Sequence, residues 1–407
     1  MKPYGLLGEK LGHSFSPLIH SRLGNYEYRL FPTPKEELEA FLVGGSFGNL
    51  NVTMPYKKAV IPYCKSLSPL AKRLGSVNTI KVTDEGLMGY NTDYYGFAHM
   101  LSRGNIPVLG EKCAVIGSGG VSPTVCAVLE DLGAEKITVV SHKMNTPTFI
   151  ETIADHTVVV NTSPVGMFPV GGESPVDLRQ FHSLRGVADL IYNPLKTALM
   201  LQAESLGVPC VGGLSMLVAQ AKQAAEIFED KSLDDGIIDA VTGELVGLCE
   251  TVCLIGMPGS GKTTIGKLLA EALGKEFVDT DEEIVRIAGK SIPEIFREDG
   301  EDAFRRLETK VLAEVTAKSG RVISTGGGAV VRTENHNLLR QNGRIVLVAR
   351  GLDALSTAGR PLSSSEDALR RLYEERQPIY LSLADVVVQN AKSPAEAVMA
   401  LLEELSL

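Results

Sequence analysis

Residues 253–266 read CLIGMPGSGKTTIG, a strand-like run, a glycine turn and a helix start, more than half-way along a chain of 407 residues. Gly256, Gly261, Lys262 and Thr263 satisfy GxxxxGK[ST]. In that pattern the backbone N–H groups of the turn, here Gly259, Ser260, Gly261 and Thr264 with the lysine and threonine between them, curl round the phosphates of ATP. Lys262 neutralises the β/γ oxygens, and the Thr263 hydroxyl ligates Mg²⁺. Ile265, Leu268, Leu269, Ala272 and Leu273 follow at helical spacing. The helix N-terminus then aims its dipole at the anion. Such a unit starts its own sheet, so the first 250 residues must serve another fold.

Those residues carry a second strand and glycine turn, CAVIGSGGVS. Gly117, Ser118, Gly119, Gly120 and Val121 form a dinucleotide loop whose last GxGxxG position is Ser122. After the next strand, ITVV, an NAD enzyme presents an acid to the ribose hydroxyls, whereas this chain presents Ser141, His142 and Lys143. These favour a 2′-phosphate, hence NADP(H) over NAD. Further β-branched runs, TVVVNTS, VADLIY, RVISTGG and RIVLVAR, alternate with helical patterns, the signature of parallel α/β sheets. SMLVAQAKQAAEIFED and DDGIIDAVTGELVG read as closing helices, the second ending at Gly247, which places a boundary near residues 247–250. The expected organisation is α/β throughout. Residues 1–247 form one half, with 1–103 and 220–247 as a substrate part and 104–219 as a Rossmann NADP part. Residues 248–407 form a P-loop domain with a parallel sheet.

Composition narrows the classes. The net charge is −9, and no cluster of Lys or Arg interleaves with aromatic residues, which argues against nucleic acid as a partner. The six cysteines form no CxxC pair and read as small buried hydrophobes of a reducing compartment. No run approaches the ~18 apolar residues of a membrane span, and MKPYGLLGEKLGHS lacks the apolar core of a signal peptide. A soluble, unprocessed, cytoplasmic protein acting on small molecules is expected.

GHSFSP, NVTMPYK, GSVNT and GYNTDYYG place hydroxyls, amides, one Lys and one Asp on short turns at the ends of strand-like runs, where they can converge on a small polyol. Turn chemistry alone accounts for some Ser and Asn at such places but not for the set. Together with SPVGM, IYNPLKT and GGLSMLVAQAKQ, these stretches resemble shikimate dehydrogenase over residues 1 to about 245. The resemblance implies Ser14 and Ser16 at the substrate carboxylate, and Asn51, Thr53, Asn78, Asp93, Tyr192 and Gln220 around the ring. It makes Lys57 and Asp93 the catalytic pair and adds Leu190 and Gly213 to the cofactor contacts. Reducing the ketone of 3-dehydroshikimate develops an alkoxide, and a neighbouring cation that can release a proton, Lys57, meets that need. A structural reading of Lys57 is an exposed residue in the first helical turn after Pro55.

In the second half, Asp279 and Asp281 of EFVDTDEEI stand two apart at a strand end and are expected to share a side, one holding Mg²⁺ through water and the other facing an acceptor hydroxyl. FRRLE, STGGGAV, GRPL and ERQPIY follow in order, and with the P-loop they resemble shikimate kinase from about 250 to 407. The resemblance implies that Asp281 contacts the shikimate hydroxyl and that Arg305 and Arg376 clamp its carboxylate. It sets Gly326, Gly327 and Gly328 beside the ring and Arg360 on a lid over ATP. The lid segment is shorter than the family's and holds Arg360 alone. Two sites so read name one small molecule: the first forms shikimate and the second phosphorylates it. The alternatives are a quinate/shikimate dehydrogenase fused to a kinase, and a shikimate-sensing regulator built from inactive domains. Lys57, Asp93, Lys262 and Asp281 are all present, which weighs against the regulator.

Overall fold

The computed structural model describes residues 2–12, 14–141, 150–169, 171–355 and 366–405. It divides into two compact units, one of 1–165, 174–192 and 202–244, the other of 166–173, 193–201 and 245–407.

The first unit holds two sheets. One contains β1 (Tyr4–Gly8), β2 (Tyr28–Pro32), β3 (Leu50–Val52), β4 (Ser66–Leu67), β5 (Thr79–Thr83) and β6 (Gly86–Tyr90), in the order β2-β1-β3-β5-β6-β4. Its pairing is antiparallel at β3/β5 and β5/β6 and parallel elsewhere. Leu7, Leu50, Val52 and Ile80 bury one cluster against Leu42, Phe47 and Val60. The other sheet, wholly parallel, contains β7 (Lys112–Ile116), β8 (Lys136–Val140), β9 (Val158–Asn161), β10 (Gly186–Asp189) and β11 (Cys210–Gly212), in the order β11-β10-β9-β7-β8. Near-continuous apolar runs suit strands covered on both faces. Helices Asp93–Arg103 and Leu214–Glu229 lie against each other. Their approach requires Gly96, where a Cβ would stand 2.8 Å from the Met216 carbonyl oxygen and 2.9 Å from the Gln220 Cβ. That contact brings Asp93 and Gln220 to one place.

The second unit is built on β12 (Thr251–Ile255), β13 (Glu276–Asp279), β14 (Arg321–Ser324), β15 (Gly343–Ala349) and β16 (Val386–Gln389), all parallel, in the order β13-β14-β12-β15-β16. Every residue of the central strand β12 is buried. Among the described residues, no helix is long and apolar enough to cross a membrane.

Two local expectations are corrected, at Gly247 and at Lys57. The helix Gly236–Cys249 runs past Gly247, leaving only Glu250 before β12. Leu245 and Cys249, four residues apart and buried, continue its apolar stripe for another turn, against a cost of about 1 kcal/mol for the glycine. Helix Lys262–Leu273 buries Lys262, Ile265, Gly266, Leu269 and Ala270, whereas Leu268 and Ala272 are exposed. The core-facing stripe is therefore narrower than the apolar positions suggest. Residues 54–60 form successive turns rather than a helix, so Lys57 does not sit on a helix face.

Leu254, fully buried in β12, is expected to cost about 2–5 kcal/mol when truncated to Ala. A lower urea midpoint for the unit's transition, followed with bound nucleotide as the probe, checks this.

Candidate active sites

In the first unit the polar residues of the sequence motifs are joined by hydrogen bonds. Lys57 Nζ donates to Asp93 Oδ2 at 2.7 Å, and both side chains are largely buried. Asp93 opens its helix directly after Thr92. The Thr92 N–H donates to Asn78 Oδ1 at 2.7 Å, and Asn78 Nδ2 returns a bond to Thr92 Oγ1 at 3.0 Å. Gln220 Oε1 lies 3.5 Å from Asn78 Nδ2 and 3.4 Å from Thr92 Oγ1. Asn51 Nδ2 donates to Thr79 Oγ1 at 3.2 Å, and that hydroxyl donates to Asn78 Oδ1 at 3.1 Å. The Thr53 N–H donates to the Leu7 carbonyl, fixing its turn beside β1. Ser14 Oγ accepts from the Ser16 N–H at 3.2 Å, and Phe15 between them faces the Tyr192 ring at 6.1 Å. These contacts join Asn51, Thr79, Asn78, Thr92 and Gln220 in one network beside the Lys57–Asp93 pair, and hold Ser14 and Ser16 next to Phe15, which meets Tyr192.

Behind the site, His20 is buried and stacked on Tyr28, with ring centroids 4.0 Å apart. Its Nδ1 lies 2.7 Å from the Tyr26 hydroxyl. Tyr28 donates to Asn51 Oδ1 at 2.8 Å. Burial lowers the imidazole pKa to about 3, against a smaller opposing effect of Asn51. The ring is thus neutral where His ordinarily titrates.

Gly117, at φ 115°, ends β7, and a Cβ there would stand 2.7 Å from Thr162 Oγ1 and 2.9 Å from the Ser163 N–H. Gly119 and Gly120 face open space within 4 Å. Val121 leads into helix Ser122–Asp131, so the loop delivers backbone donors to a helix start. Gly213 packs on the Leu190 carbonyl, where a Cβ would collide. Beneath, the buried pair Asn161 and Asp189 share a 3.0 Å bond, and Asp189 also accepts from the Ile191 N–H. This cradle fits a dinucleotide. Ser141 directly follows β8, while His142 and Lys143 lie outside the described residues.

The second unit contains a cleft of about 740 Å³ lined by the P-loop, Asp279, Asp281, Arg305, Gly326 to Gly328, Arg350 and Arg376. Gly256, Gly259 and Gly261 have φ of 140°, 83° and 101°, which exclude side chains. Lys262 Nζ donates to the carbonyls of Gly256 and Met257 at 2.9 and 3.0 Å. Thr263 Oγ1 donates to Asp279 Oδ2 at 2.8 Å and lies 3.5 Å from Ser324 Oγ. This hard-oxygen set suits Mg²⁺. Asp281 does not share a strand face with Asp279. It sits in the first turn of helix Thr280–Ala288, because Asp279 ends β13 by capping that helix, its Oδ1 accepting from the Asp281 N–H at 3.0 Å.

The three adjoining glycines each meet a different neighbour. A Cβ on Gly326 would stand 2.8 Å from both Asp281 Oδ1 and Glu308 Oε1, and one on Gly327 would stand 2.7 Å from the Pro258 ring. On Gly328 it would collide with the Arg305 guanidinium. Arg305 donates to Glu308 at 2.7 Å and to Glu301 at 3.2 Å. Burial pushes the Glu308 carboxyl above its usual range despite the arginine beside it. Arg305 stays charged: burial disfavours its charge, and Glu308 and Glu301 more than offset this. Arg376 is buried and leaves its Nε, like Glu308 Oε1, without a hydrogen-bond partner among the described residues. Arg360 lies outside the described residues.

Fold and sites define a dinucleotide-linked dehydrogenase joined to a P-loop phosphotransferase. The family model "Shikimate dehydrogenase substrate binding domain" matches residues 6–80, and the model "Shikimate kinase" matches residues 258–406. A shikimate dehydrogenase (NADP(+)) of Clostridium beijerinckii is 36% identical over 255 residues, which cover 58% of this chain and 94% of that relative. The chain belongs to the shikimate dehydrogenase family, and its residues 258–406 match the shikimate kinase family model. Among solved structures, a chorismate mutase/shikimate 5-dehydrogenase fusion protein from Clostridium acetobutylicum is 38% identical, with a TM-score of 0.57, over 60% of this chain and 97% of its own. Shikimate 5-dehydrogenase from Thermus thermophilus, in complex with NADP(H) and shikimate, is 28% identical with a TM-score of 0.54, over 60% and 99%.

Sequence reasoning missed Thr79, Thr92, Tyr28, Glu308 and Asn390 as parts of the two sites. Thr79, Thr92 and Glu308 stand inside quoted motifs, where their neighbours drew the roles. Asn390, whose Nδ2 donates to the Ser260 carbonyl at 2.7 Å, carries no local signal.

His20 makes stability depend on pH. Its folded pKa lies below its unfolded value of ~6.5, so the unfolded chain binds more protons and stability falls as pH drops through that window. Between pH 7 and pH 5 the loss from this group is about 2 kcal/mol. Urea denaturation at both pH values, compared with His20→Gln, is expected to show a correspondingly smaller acid loss in the variant.

Proposed function

We propose that the chain carries out two consecutive reactions: NADPH-dependent reduction of 3-dehydroshikimate to shikimate, assigned to residues 1–247, and ATP-dependent phosphorylation of shikimate to shikimate 3-phosphate, assigned to 248–407. The observation that carries the reading is the grouping, in one cleft, of a phosphate loop with Asp281 and two buried arginines, beside a family match to the enzyme that makes the substrate those groups fit.

In the reduction, NADPH supplies the hydride when bound. Ser14 and Ser16 hold the substrate carboxylate through hydroxyls, and Asn51, Thr53, Asn78, Tyr192 and Gln220 orient the ring. Lys57 donates a proton from Nζ to the carbonyl oxygen as negative charge develops there. Asp93, 2.7 Å away, keeps the ammonium aimed and accepts a substrate hydroxyl.

In the phosphorylation, Arg305 and Arg376 bind the carboxylate through planar, charge-assisted bonds. Glu308 holds Arg305 in place. Asp281 aligns the attacking hydroxyl and takes up its proton. Lys262 and the loop N–H groups neutralise the transferring phosphate, with Thr263 and Asp279 the groups that would hold Mg²⁺. Arg360 is assigned to the nucleotide's covering segment.

One assay tests the reading: dehydroshikimate with NADPH should yield shikimate, and adding ATP and Mg²⁺ should convert it to the phosphate, followed by chromatography. Failure of either conversion refutes that half.

Lys57→Ala is expected to lower dehydrogenase kcat by about 10²–10⁴-fold with little change in KM, while kinase turnover stays at the wild-type level. Steady-state kinetics of both reactions decide this.

Arg305→Lys replaces a planar fork by a point charge and should raise the kinase KM for shikimate about tenfold or more, with the KM for ATP little changed. Varying the two substrates separately separates these effects.

A further inference from the structure

Arg350 follows β15 directly, three residues beyond Leu347, the register partner of Ile255 at the end of β12. It is therefore level with the phosphate loop. The side chain is half-buried and lines the cleft. Its one hydrogen bond among the described residues runs from Nη1 to the Gly259 carbonyl at 3.2 Å, and no carboxylate there lies within ion-pair distance.

By contrast, Arg305 of the same cleft is ion-paired with Glu301 and Glu308. A guanidinium has five N–H donors and remains charged at any working pH, so a half-buried one with a single neutral contact carries an uncompensated charge. Leaving such a charge partly desolvated is costly unless an anion joins it. Gly259 belongs to the loop whose N–H groups await phosphate, three and two residues beyond Gly256 and Met257, whose carbonyls hold Lys262. The compensating anion is then the nucleotide itself.

We propose that Arg350 is a second fixed cation for the phosphate tail of ATP, acting from β15 while Lys262 acts from the loop. Its bond to the Gly259 carbonyl parks the guanidinium at the loop before the nucleotide arrives. The remaining donors then meet phosphate oxygens in charge-assisted bonds. The inference rests on the kinase reading and adds to it a nucleotide contact contributed by a residue outside the GxxxxGK[ST] motif.

The test is calorimetric titration of the full chain with ATP, ADP and adenosine. Arg350→Gln keeps an N–H donor for the Gly259 carbonyl and removes the charge. Its Kd for ATP and ADP should rise about tenfold or more, with adenosine affinity unchanged. The dependence of ATP affinity on salt should become shallower, Arg350→Lys should recover part of the loss, and dehydrogenase turnover should be unaffected. An unchanged Kd for ATP in the Gln variant overturns the proposal, because the loop contact alone then suffices. Equal weakening of adenosine and ATP also overturns it, because the guanidinium then serves the base or the loop's shape. If the wild-type chain fails to bind ATP, the kinase reading falls, and this proposal with it. Wild-type binding with an indifferent Gln variant removes only the role of Arg350.

Discussion

One steric condition recurs at the start of both nucleotide loops and shapes what lies around them. In a parallel sheet the chain leaves each strand at the same edge, so the exits of neighbouring strands crowd together. Gly117 leaves β7 against the Thr162–Ser163 backbone that follows β9, and Gly256 leaves β12 within 2.6 Å, measured from a built Cβ, of the Val348 carbonyl in β15. Both adopt positive φ. Only a residue without a side chain lets the chain turn there, and that turn points successive N–H groups outward at a helix start. The ligand-binding edge is thus set by how closely parallel strands can exit side by side.

The strands and both glycine loops were legible because the signals are local: apolar runs, a turn without side chains, then helical spacing. The Gly326–Gly328 run was legible as a motif, but its reasons come from Asp281, Glu308, Pro258 and Arg305, none adjacent in sequence. Asp281 illustrates a local signal read with the wrong period. A spacing of two suits a strand, yet Asp279 with an acidic turn after it is a helix start, and its strand partner β14 ends level with it at Ser324. Gly247 carries the local signal of a helix end, whereas buried Leu245 and Cys249 carry the helix through. Thr79 and Thr92 carry no signal in the sequence, because a hydroxyl in a turn is ordinary until tertiary contact joins it to two amides.

The two sites handle charge differently. The first holds its Lys57–Asp93 pair among neutral amides and hydroxyls, whose donors and acceptors are already committed to one another by Asn51, Thr79, Asn78 and Thr92. Orientation is fixed before a substrate enters. The second keeps two arginines around the buried carboxyl of Glu308, leaving the Arg376 Nε and Glu308 Oε1 unmatched among the described residues. Polar groups sealed without partners are costly, which favours a state in which a polar ligand completes them.

The contact from Asn390 to the Ser260 carbonyl spans 130 residues of sequence, and Gly261 must lack a Cβ to admit that amide. β12 is made first in its sheet, yet the shape of its loop is secured from the last strand to be synthesised. On the ribosome, the first unit has its closing helix Leu214–Glu229 in hand long before β16 emerges. The phosphate loop must wait until Asn390 emerges, so the nascent P-loop unit completes its nucleotide pocket only after all five strands of its sheet have been made.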